Sequence, residues 1–170
     1  MPVTIRVLRA ADGEETRSLR LRGITEHPEA FGASVEEDAA LTVEDWARRL
    51  EEGLPDSPTF GAFDASGVLV GMVKVIRHHR VKTRHRMYIN AMYVSGDMQG
   101  QGIGRALMDA ALNHIRALTG VEQVVLAVTS GNLAGRRLYR RCGFITWGVD
   151  PRHIRVGDVD YDIEWMVLEL

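Results

Sequence analysis

Cysteine, proline and aromatic residues are scarce in this chain of 170 residues, which has one cysteine, five prolines and 6% aromatic residues. The single Cys142 excludes an internal disulfide framework and a metal site built from several thiolates, and it is typical of a reducing compartment. No apolar run approaches the roughly 18 residues that cross a bilayer, and no secretory signal is visible at the N-terminus. A formal charge of −2 argues against a wholly nucleic-acid-binding surface. These absences predict one globular, cytoplasmic domain over residues 1–170.

Hydrophobic periodicity predicts an alternation of strands and helices, in the order β-α-α-β-β-β-α-β-α-β-β. Two capping boxes mark helix starts, one at Asp12 with Glu15 and one at Thr42 with Asp45. The predicted elements are a strand at 3–9, a helix at 14–26, a helix after 42, a hairpin at 59–77, a strand at 86–94, a helix at 102–119, a strand at 124–128, a helix at 132–142 and two strands at 144–150 and 161–170. The run at 124–128 is apolar throughout, as in a strand buried on both faces.

The middle of the chain reads as a βαβ unit, with strand 86–94, helix 102–119 and strand 124–128. Its two strands are expected to be parallel, with a right-handed crossover. The stretch SGDMQGQGIGRAL, residues 95–107, falls where the first strand ends and the helix begins. Three glycines there allow an anion to approach the unpaired N–H groups of the helix N-terminus, and a phosphate or diphosphate is the natural ligand.

Glycines alone are also compatible with a tight turn that needs positive φ. Two phosphate-binding motifs do not fit. A Walker loop requires a Lys-Ser or Lys-Thr that is absent here, and a dinucleotide fingerprint requires glycine where this chain has Arg105. A third pattern, Gln/Arg-x-x-Gly-x-Gly/Ala, is met by Gln99, Gly102 and Gly104.

The segment QGQGIGR, residues 99–105, resembles the acyl-CoA loop of GCN5-related N-acetyltransferases. A second segment, NLAGRRLYRRCGF at 132–144, resembles that family's N-x-x-A-x-x-L-Y-x-x-x-G-F pattern. The chain departs from the family at Gly96, where proline is usual, and at Gly135, where alanine is usual. Together with the element order, the resemblance implies a mixed α/β fold: about six or seven strands, mostly antiparallel with one splayed parallel pair, and about four helices.

The resemblance also implies an acetyl-CoA co-substrate and a role for each matched residue. The loop would hold the diphosphate, the backbone of Met92 and Val94 would pair with the pantetheine arm, and a backbone N–H near Met92 would stabilise the oxyanion. Tyr139 would protonate the leaving thiolate, and Asn132 would bond the pantetheine arm. The implied loop residues are Gln99, Gly100, Gln101, Gly102, Ile103, Gly104 and Arg105.

The general base is left open, because strand 86–94 carries no carboxylate. Asn90 could hold a water that accepts the proton of the amine, and bulk water through a short chain is equally compatible. Side chains that also come into consideration are Tyr88, His85, Glu29, Glu36 and Glu37.

Three further features have structural explanations. The basic stretch at 77–86 is interpreted as a solvated loop, because it lacks the interleaved aromatics that stack on bases. Trp147 and Trp165 are expected to pack in the core, although they could line an acceptor pocket or an interface, and Cys142 is expected to serve packing rather than a covalent relay. Adjacent His78 and His79 point opposite ways along a strand, so no metal site is predicted.

The function predicted from the sequence is acetyl-CoA-dependent transfer to a primary amine of a small molecule or a protein, by direct attack in a ternary complex. An alternative from another class is a non-catalytic acyl-CoA-binding sensor or scaffold, which the missing strand carboxylate favours. A nucleic-acid-binding module ranks below both. A homodimer is compatible with the sequence, and no membrane partner is expected.

Overall fold

The computed structural model describes residues 3–170. The strands are β1 (Thr4–Val7), β2 (Thr59–Phe63), β3 (Leu69–Arg77), β4 (Arg86–Val94), β5 (Gln123–Thr129), β6 (Ile145–Val156) and β7 (Val159–Glu169). The helices are α1 (Gly13–Glu26), α2 (Val35–Ala39), α3 (Val43–Glu52), α4 (Ile103–Ala117) and α5 (Leu133–Arg141). Short 3-10 turns occur at Ala10–Asp12, Pro28–Ala30 and Gly96–Met98.

All seven strands form one sheet in the order β1-β2-β3-β4-β5-β7-β6. Strands β4 and β5 are parallel, and every other neighbouring pair is antiparallel. Helix α4 connects the parallel pair, as the βαβ pattern predicts. The fold class predicted from the sequence is therefore confirmed.

Helices cover both faces of the sheet. One face packs against α4, whose buried side chains recur at the spacing of one helical stripe. The other face packs against α1, and α3 lies against α1. The buried residues of α4 are Ile103, Leu107, Met108, Ala111, Leu112 and Ile115. The amphipathic pattern of the sequence placed this helix correctly because the packing stripe is continuous over four turns.

The structure differs from the sequence prediction at the start of α1. Asp12 is the N-cap residue, but its carboxylate makes no capping bond to the helix. It accepts two hydrogen bonds from Arg6 at 2.7 Å and one from the backbone N–H of Arg9 at 2.8 Å. The Arg6 guanidinium is the main reason that the pKa of Asp12 lies below its usual value. A charged partner on β1 therefore competes successfully with the helix terminus for this carboxylate. The second predicted capping box, at Thr42 and Asp45, is present.

The structure differs from the sequence analysis at two further places. The short helix α2 was not predicted, although the Ser34–Glu37 capping box that begins it is a sequence signal. The prediction that Trp147 packs in the core is wrong, because 58% of its surface is exposed on the edge strand β6. Its ring centroid lies 6.4 Å from that of the half-buried Trp165. An edge strand has no neighbour to cover its side chains, and strand order cannot be read from alternation alone.

Candidate active site

Strands β4 and β5 pair along only part of their length. Their register runs from Arg86–Ile89 opposite Gln123–Leu126 and then stops, although β4 continues to Val94 and β5 to Thr129. A bulge marks the divergence, because Ala91 has a φ of +51°, a value that a non-glycine residue adopts only where its surroundings hold it. The predicted splay is present, and beyond it the edge of β4 has no partner strand.

A cavity of about 740 Å³ opens at this divergence. It brings together nine of the predicted site residues, from β4, the glycine loop and α5: Met92, Val94, Gln99, Gly100, Gly102, Ile103, Gly104, Asn132 and Tyr139. Three other predicted residues, Asn90, Gln101 and Arg105, do not line it. A cavity of this size is typical of a small-molecule or cofactor site.

The glycine loop presents bare backbone to the cavity. Gly100 and Gly102 have φ values of +77° and +81°, and a Cβ added to either would meet no atom within 4 Å. Within residues 3–170, the N–H groups from Gly100 to Arg105 make no hydrogen bond to an acceptor. Six unpaired amides at the N-terminus of the 15-residue helix α4 carry partial positive charge and fit an anionic ligand.

Three polar side chains of the loop contact neighbouring residues of the protein. The side-chain amide of Gln99 donates to the carbonyl oxygen of Val94 at 3.0 Å, so that carbonyl already has a hydrogen bond. The guanidinium of Arg105 donates to Asp109 one helical turn away, at 2.8 Å, and Gln101 contacts the sulfur of Met98. The Arg105 side chain therefore lies along its own helix, outside the residues that line the cavity. An anion bound here would therefore be held by the backbone N–H groups of the loop.

Tyr139 projects from α5 into the opposite wall of the cavity. It is only 7% exposed and packs edge-on against Phe144, with ring centroids 6.3 Å apart. Its hydroxyl makes no hydrogen bond with residues 3–170, although the residue lines the cavity. Burial raises the pKa of Tyr139 well above its usual range, so the hydroxyl keeps its proton at neutral pH and is available as a donor.

Asn132 caps α5. Its Oδ1 accepts a hydrogen bond from the backbone N–H of Gly135 at 2.8 Å, which leaves its NH₂ group free to donate toward the cavity. A Cβ at Gly135 would lie 2.9 Å from the Asn132 Nδ2. The departure from the family's alanine therefore keeps room for the capping side chain.

The segment between α1 and α2 forms a wall of the cavity that the sequence analysis only partly identified. His27, Glu29 and Phe31 line it, with the Nδ1 of His27 3.8 Å from the Oε1 of Glu29. The hydroxyl of Thr129 donates to the backbone carbonyl oxygen of Glu29 at 2.7 Å and ties the segment to the end of β5. Sequence reasoning missed Thr129, although its place at the carboxyl end of a buried parallel strand is a signal for a site residue.

The candidate bases are spread over the molecule. Among those named from the sequence, Glu29 lines the cavity, whereas Glu37 caps α2 through the backbone N–H of Ser34. Tyr88 packs against His78 at the other end of β4, with ring centroids 4.6 Å apart and the rings tilted by 39°. Asn90 lines a second, smaller cavity, and its Oδ1 accepts the backbone N–H of Ala91 at 2.7 Å.

Tyr93 also faces the cavity but is unsuited to accept a proton. Its hydroxyl donates to the Oε2 of Glu26, and burial together with this carboxylate raises the pKa of Tyr93 well above its usual range. Cys142 packs beside the core on α5, and burial raises the pKa of its thiol. A protonated, half-buried thiol is a poor nucleophile, so the packing role expected for Cys142 stands.

No helix within residues 3–170 is long and apolar enough to cross a membrane. Over the same range, no three histidine, cysteine, aspartate or glutamate side chains lie together as a metal site requires.

Comparisons with known proteins identify the family of this chain. The family described as "Acetyltransferase (GNAT) family" matches residues 21–144. A mycothiol acetyltransferase of Thermobispora bispora is 34% identical over 147 residues, which cover 85% of this chain and 46% of that protein. The chain thus spans about half the length of the curated relatives it matches.

Solved structures share the fold at low sequence identity. An acetyltransferase of the GNAT family from Streptococcus pneumoniae is 20% identical, with a TM-score of 0.90 over 99% of this chain and 100% of that one. A putative acetyltransferase from Salmonella typhimurium, solved with its cofactor acetyl-CoA, is 22% identical, with a TM-score of 0.85 over 99% and 94% of the two chains. With a family match over residues 21–144 and a relative 34% identical, this chain belongs to the GNAT family of acetyltransferases.

Proposed function

We propose that the protein transfers an acetyl group from acetyl-CoA to a primary amine by direct attack in a ternary complex. The observation that carries the proposal is the row of unpaired amides from Gly100 to Arg105, which opens on the same cavity as the free edge of β4 and the hydroxyl of Tyr139. Membership of the GNAT family supports it, as does the acetyl-CoA present in the Salmonella structure.

The backbone and Asn132 would position the co-substrate. The amides at the start of α4 would hold its diphosphate, and the free edge of β4 would pair with the amide groups of its pantetheine arm as an added strand does. The NH₂ group of Asn132 would donate to the same arm. The backbone N–H of Met92, on that edge, would donate to the thioester oxygen as negative charge develops there.

Two protons must move as the amine nitrogen bonds to the acetyl carbon and the carbon–sulfur bond breaks. Tyr139 would give its proton to the departing sulfur, since it lines the cavity and its hydroxyl has no hydrogen-bond partner among residues 3–170. We propose Glu29 as the group that receives the proton of the amine, directly or through a water. Glu29 lines the cavity, and its backbone carbonyl oxygen accepts the hydrogen bond from Thr129.

An amine with a pKa near 10 reaches the enzyme protonated at neutral pH. A carboxylate in the wall of the cavity would attract that cation and take its first proton. The second proton, which the nitrogen loses after the attack, would pass through water to the oxygen of Tyr139 and restore its hydroxyl. Since Glu29 lies on the segment between α1 and α2, no carboxylate on β4 is needed. Asn90, in the second cavity, would then contribute to binding rather than to proton transfer.

The acceptor proposed is a small-molecule amine. The cavity of about 740 Å³ must also take the acetyl end of the co-substrate, which leaves room for a compact amine or for one extended side chain of a protein. The mycothiol acetyltransferase of Thermobispora bispora supports a small-molecule acceptor. A protein amine remains part of the panel that tests the proposal.

Three wider proposals accompany this one. Residues 4–169 supply every strand of the one sheet described, so we propose a single catalytic unit. Ile145, Trp147 and Val149 on β6 are each more than half exposed, which supports a homodimer that buries this edge. Sedimentation of wild type and Trp147→Glu tests the dimer. The single cysteine supports a cytoplasmic location, which cell fractionation tests.

The decisive experiment combines calorimetry with a free-thiol assay. Acetyl-CoA should bind the protein alone, and release of the coenzyme thiol should accelerate when a suitable amine from a panel of amino acids, polyamines, amino sugars and peptides is added. Glu29→Gln should lower kcat and keep the acetyl-CoA affinity, whereas the matched variant Glu14→Gln on the exposed start of α1 should change neither. Tight binding without turnover on any amine would overturn the proposal in favour of an acyl-CoA sensor.

A further inference from the structure

A second cavity of about 180 Å³ lies between α1, α3 and strands β3 and β4. Four charged side chains that the proposed reaction does not use line it: Arg20 from α1, Arg49 from α3, Lys74 from β3 and Asp38 near the end of α2. Lys74 and Asn90 are direct cross-strand neighbours in the β3–β4 register. The floor of this cavity is therefore continuous with the strand that forms one wall of the larger cavity.

Positive charge predominates around this cavity. Its one acid, Asp38, is engaged by the Nε of Arg20 at 2.7 Å, and both side chains are nearly buried. Within residues 3–170, Arg49 and Lys74 make no ion pair and no hydrogen bond through their side chains. Nearby Glu52 instead contacts Arg48 at 3.5 Å. Two cationic groups therefore face the cavity without a counter-charge in contact.

The position of the Lys74 ammonium group is unfavourable for the stability of the folded protein. Burial, followed by repulsion from Arg49 and Arg20, lowers its pKa from the ordinary value. A buried ammonium without a partner is unfavourable unless something compensates it. Asn90 contributes in the same sense, because its Oδ1 is occupied by the Ala91 N–H and only its NH₂ donors are free. The available groups are thus donors and cations, which are complementary to an anion.

The two cavities share walls. Phe31 lines the larger cavity, and on its other side the guanidinium of Arg20 lies 4.5 Å from the centre of its ring. Along β4, Asn90 and Ala91 line the smaller cavity, and the next residue, Met92, lines the larger one. A molecule whose amine reaches the thioester beside Met92 would have its remaining groups directed along this wall.

We infer that the smaller cavity binds a carboxylate or phosphate group, and that the amine acceptor carries this group. The assignment to the acceptor rests on the proposed function, whereas binding of an anion by Arg49, Lys74 and Asn90 does not. A free carboxylate or phosphate ion that binds independently of the acceptor is the other source of the same chemistry, and the experiment separates the two.

Lysine-selective NMR tests anion binding in the absence of acetyl-CoA. The chain contains only two lysines, Lys74 and the loop residue Lys82, so the side-chain signals of labelled lysine report on the cavity and on an internal control. Inorganic phosphate and glutarate are titrated against sodium chloride at equal ionic strength. We expect the Lys74 signal to shift and saturate while the Lys82 signal follows the chloride control. Shifts that match chloride at both lysines would overturn the site.

Paired acceptors test the source of the anion. Amino acids and amino-alkyl phosphates are compared with their uncharged amide and alcohol analogues in the thiol assay. We expect kcat/KM to favour the charged member about tenfold or more in wild type and in Lys82→Met, and to lose that preference in Lys74→Met with little change on the uncharged member. Arg49→Met, at an exposed position, repeats the test where folding is not at risk.

Each possible result tests one part of the inference. Equal rates for charged and uncharged acceptors in wild type would overturn the assignment to the acceptor, and a saturating Lys74 shift would then identify a free-anion site. Absence of turnover on every amine would overturn the proposed function, while the lysine titration would still decide whether the cavity binds anions.

Discussion

The hydroxyl of Thr129, at the end of β5, donates to the backbone carbonyl oxygen of Glu29 at 2.7 Å, across 100 residues of sequence. This bond ties the segment between α1 and α2 to the strand that forms one side of the splayed pair. We call the segment between α1 and α2 the acceptor wall, because it carries the proposed base Glu29. The hydrogen bond from Thr129 joins this wall to the end of β5.

Removing the hydrogen bond between Thr129 and Glu29 should increase the mobility of the acceptor wall and leave the co-substrate site unchanged. In Thr129→Val the Glu29 carbonyl loses its partner, at a cost of about 0.5–1.5 kcal/mol. We expect KM for the amine to rise several-fold and KM for acetyl-CoA to stay within about twofold, measured by steady-state kinetics. Thr83→Val removes a similar hydroxyl-to-carbonyl bond in the exposed loop before β4 and serves as the control. Equal increases in both KM values would contradict the assignment of Thr129 to the acceptor wall.

Substituting the loop glycines should weaken co-substrate binding specifically. Gly102→Ala forces alanine into a left-handed conformation, with φ at +81°, at about 1–2 kcal/mol. The amides then move relative to the diphosphate, and loss of one charge-assisted hydrogen bond corresponds to about tenfold or more in affinity.

Gly67→Ala is a matched control for the loop, because Gly67 has a φ of +83° and equally open space in the β2–β3 turn. Both variants should lose similar stability on urea unfolding, but only Gly102→Ala should lose acetyl-CoA affinity by calorimetry. A parallel loss of affinity in Gly67→Ala would attribute the effect to stability rather than to the loop.

Tyr139→Phe should slow the chemical step and leave the fold intact. The hydroxyl has no partner within residues 3–170 whose loss would destabilise the protein, and the ring still packs on Phe144. We expect kcat to fall by about a factor of ten to one hundred, as for loss of a general acid, with the acetyl-CoA dissociation constant unchanged. A melting temperature equal to wild type is part of the prediction. Full activity in this variant would assign Tyr139 to packing alone.

Lys74 should make stability depend on pH in a defined direction. Because burial and the nearby arginines lower its pKa in the folded state, the unfolded chain binds this proton more tightly. The contribution of Lys74 to the stability of the folded protein therefore rises with pH between its lowered pKa and the ordinary pKa of 10.5. Lys74→Met should remove that contribution to the slope and increase the free energy of unfolding at neutral pH by on the order of 1 kcal/mol.

Urea unfolding at pH 7 and pH 9.5 measures this difference, with Lys82→Met as the control because Lys82 is exposed in the loop before β4. Other titrating groups are common to all three proteins, so the comparison isolates Lys74. If Lys74→Met is less stable than wild type at pH 7, Lys74 has a stabilising partner in the folded protein. That result would contradict the inference that Lys74 is available to bind an anion.

Local sequence signals predicted most of the fold and the part of the cavity that is formed by β4, the glycine loop and α5. The glycine loop, the α5 motif and the splayed pair follow from strand-to-helix patterning and from two motifs in one continuous stretch, 86–144. Those residues are positioned mainly by their own helices and strands. Their positions could therefore be predicted residue by residue, including that of Asn132, which caps α5 as its place before the helix indicates.

The rest of the cavity depends on tertiary packing. His27, Phe31 and Thr129 meet only because α1 crosses the sheet and brings the segment after it to the end of β5. No hydrophobic periodicity in the sequence indicates that the segment after α1 lies against the end of β5. The same reason explains Asp12, whose partner Arg6 lies on a separate strand. Arg105 differs, because its partner Asp109 lies four residues further along the same helix, a spacing that the sequence does show. Side-chain partners across elements are the part that sequence spacing does not specify.

The crystal structure of the protein with acetyl-CoA tests the central claim most directly. The account predicts that the diphosphate lies within hydrogen-bonding distance, about 2.7–3.2 Å, of backbone nitrogens between Gly100 and Arg105, with the thioester near Met92 and its sulfur toward Tyr139. A coenzyme bound elsewhere on the protein, with those backbone nitrogens still unpaired, would contradict it.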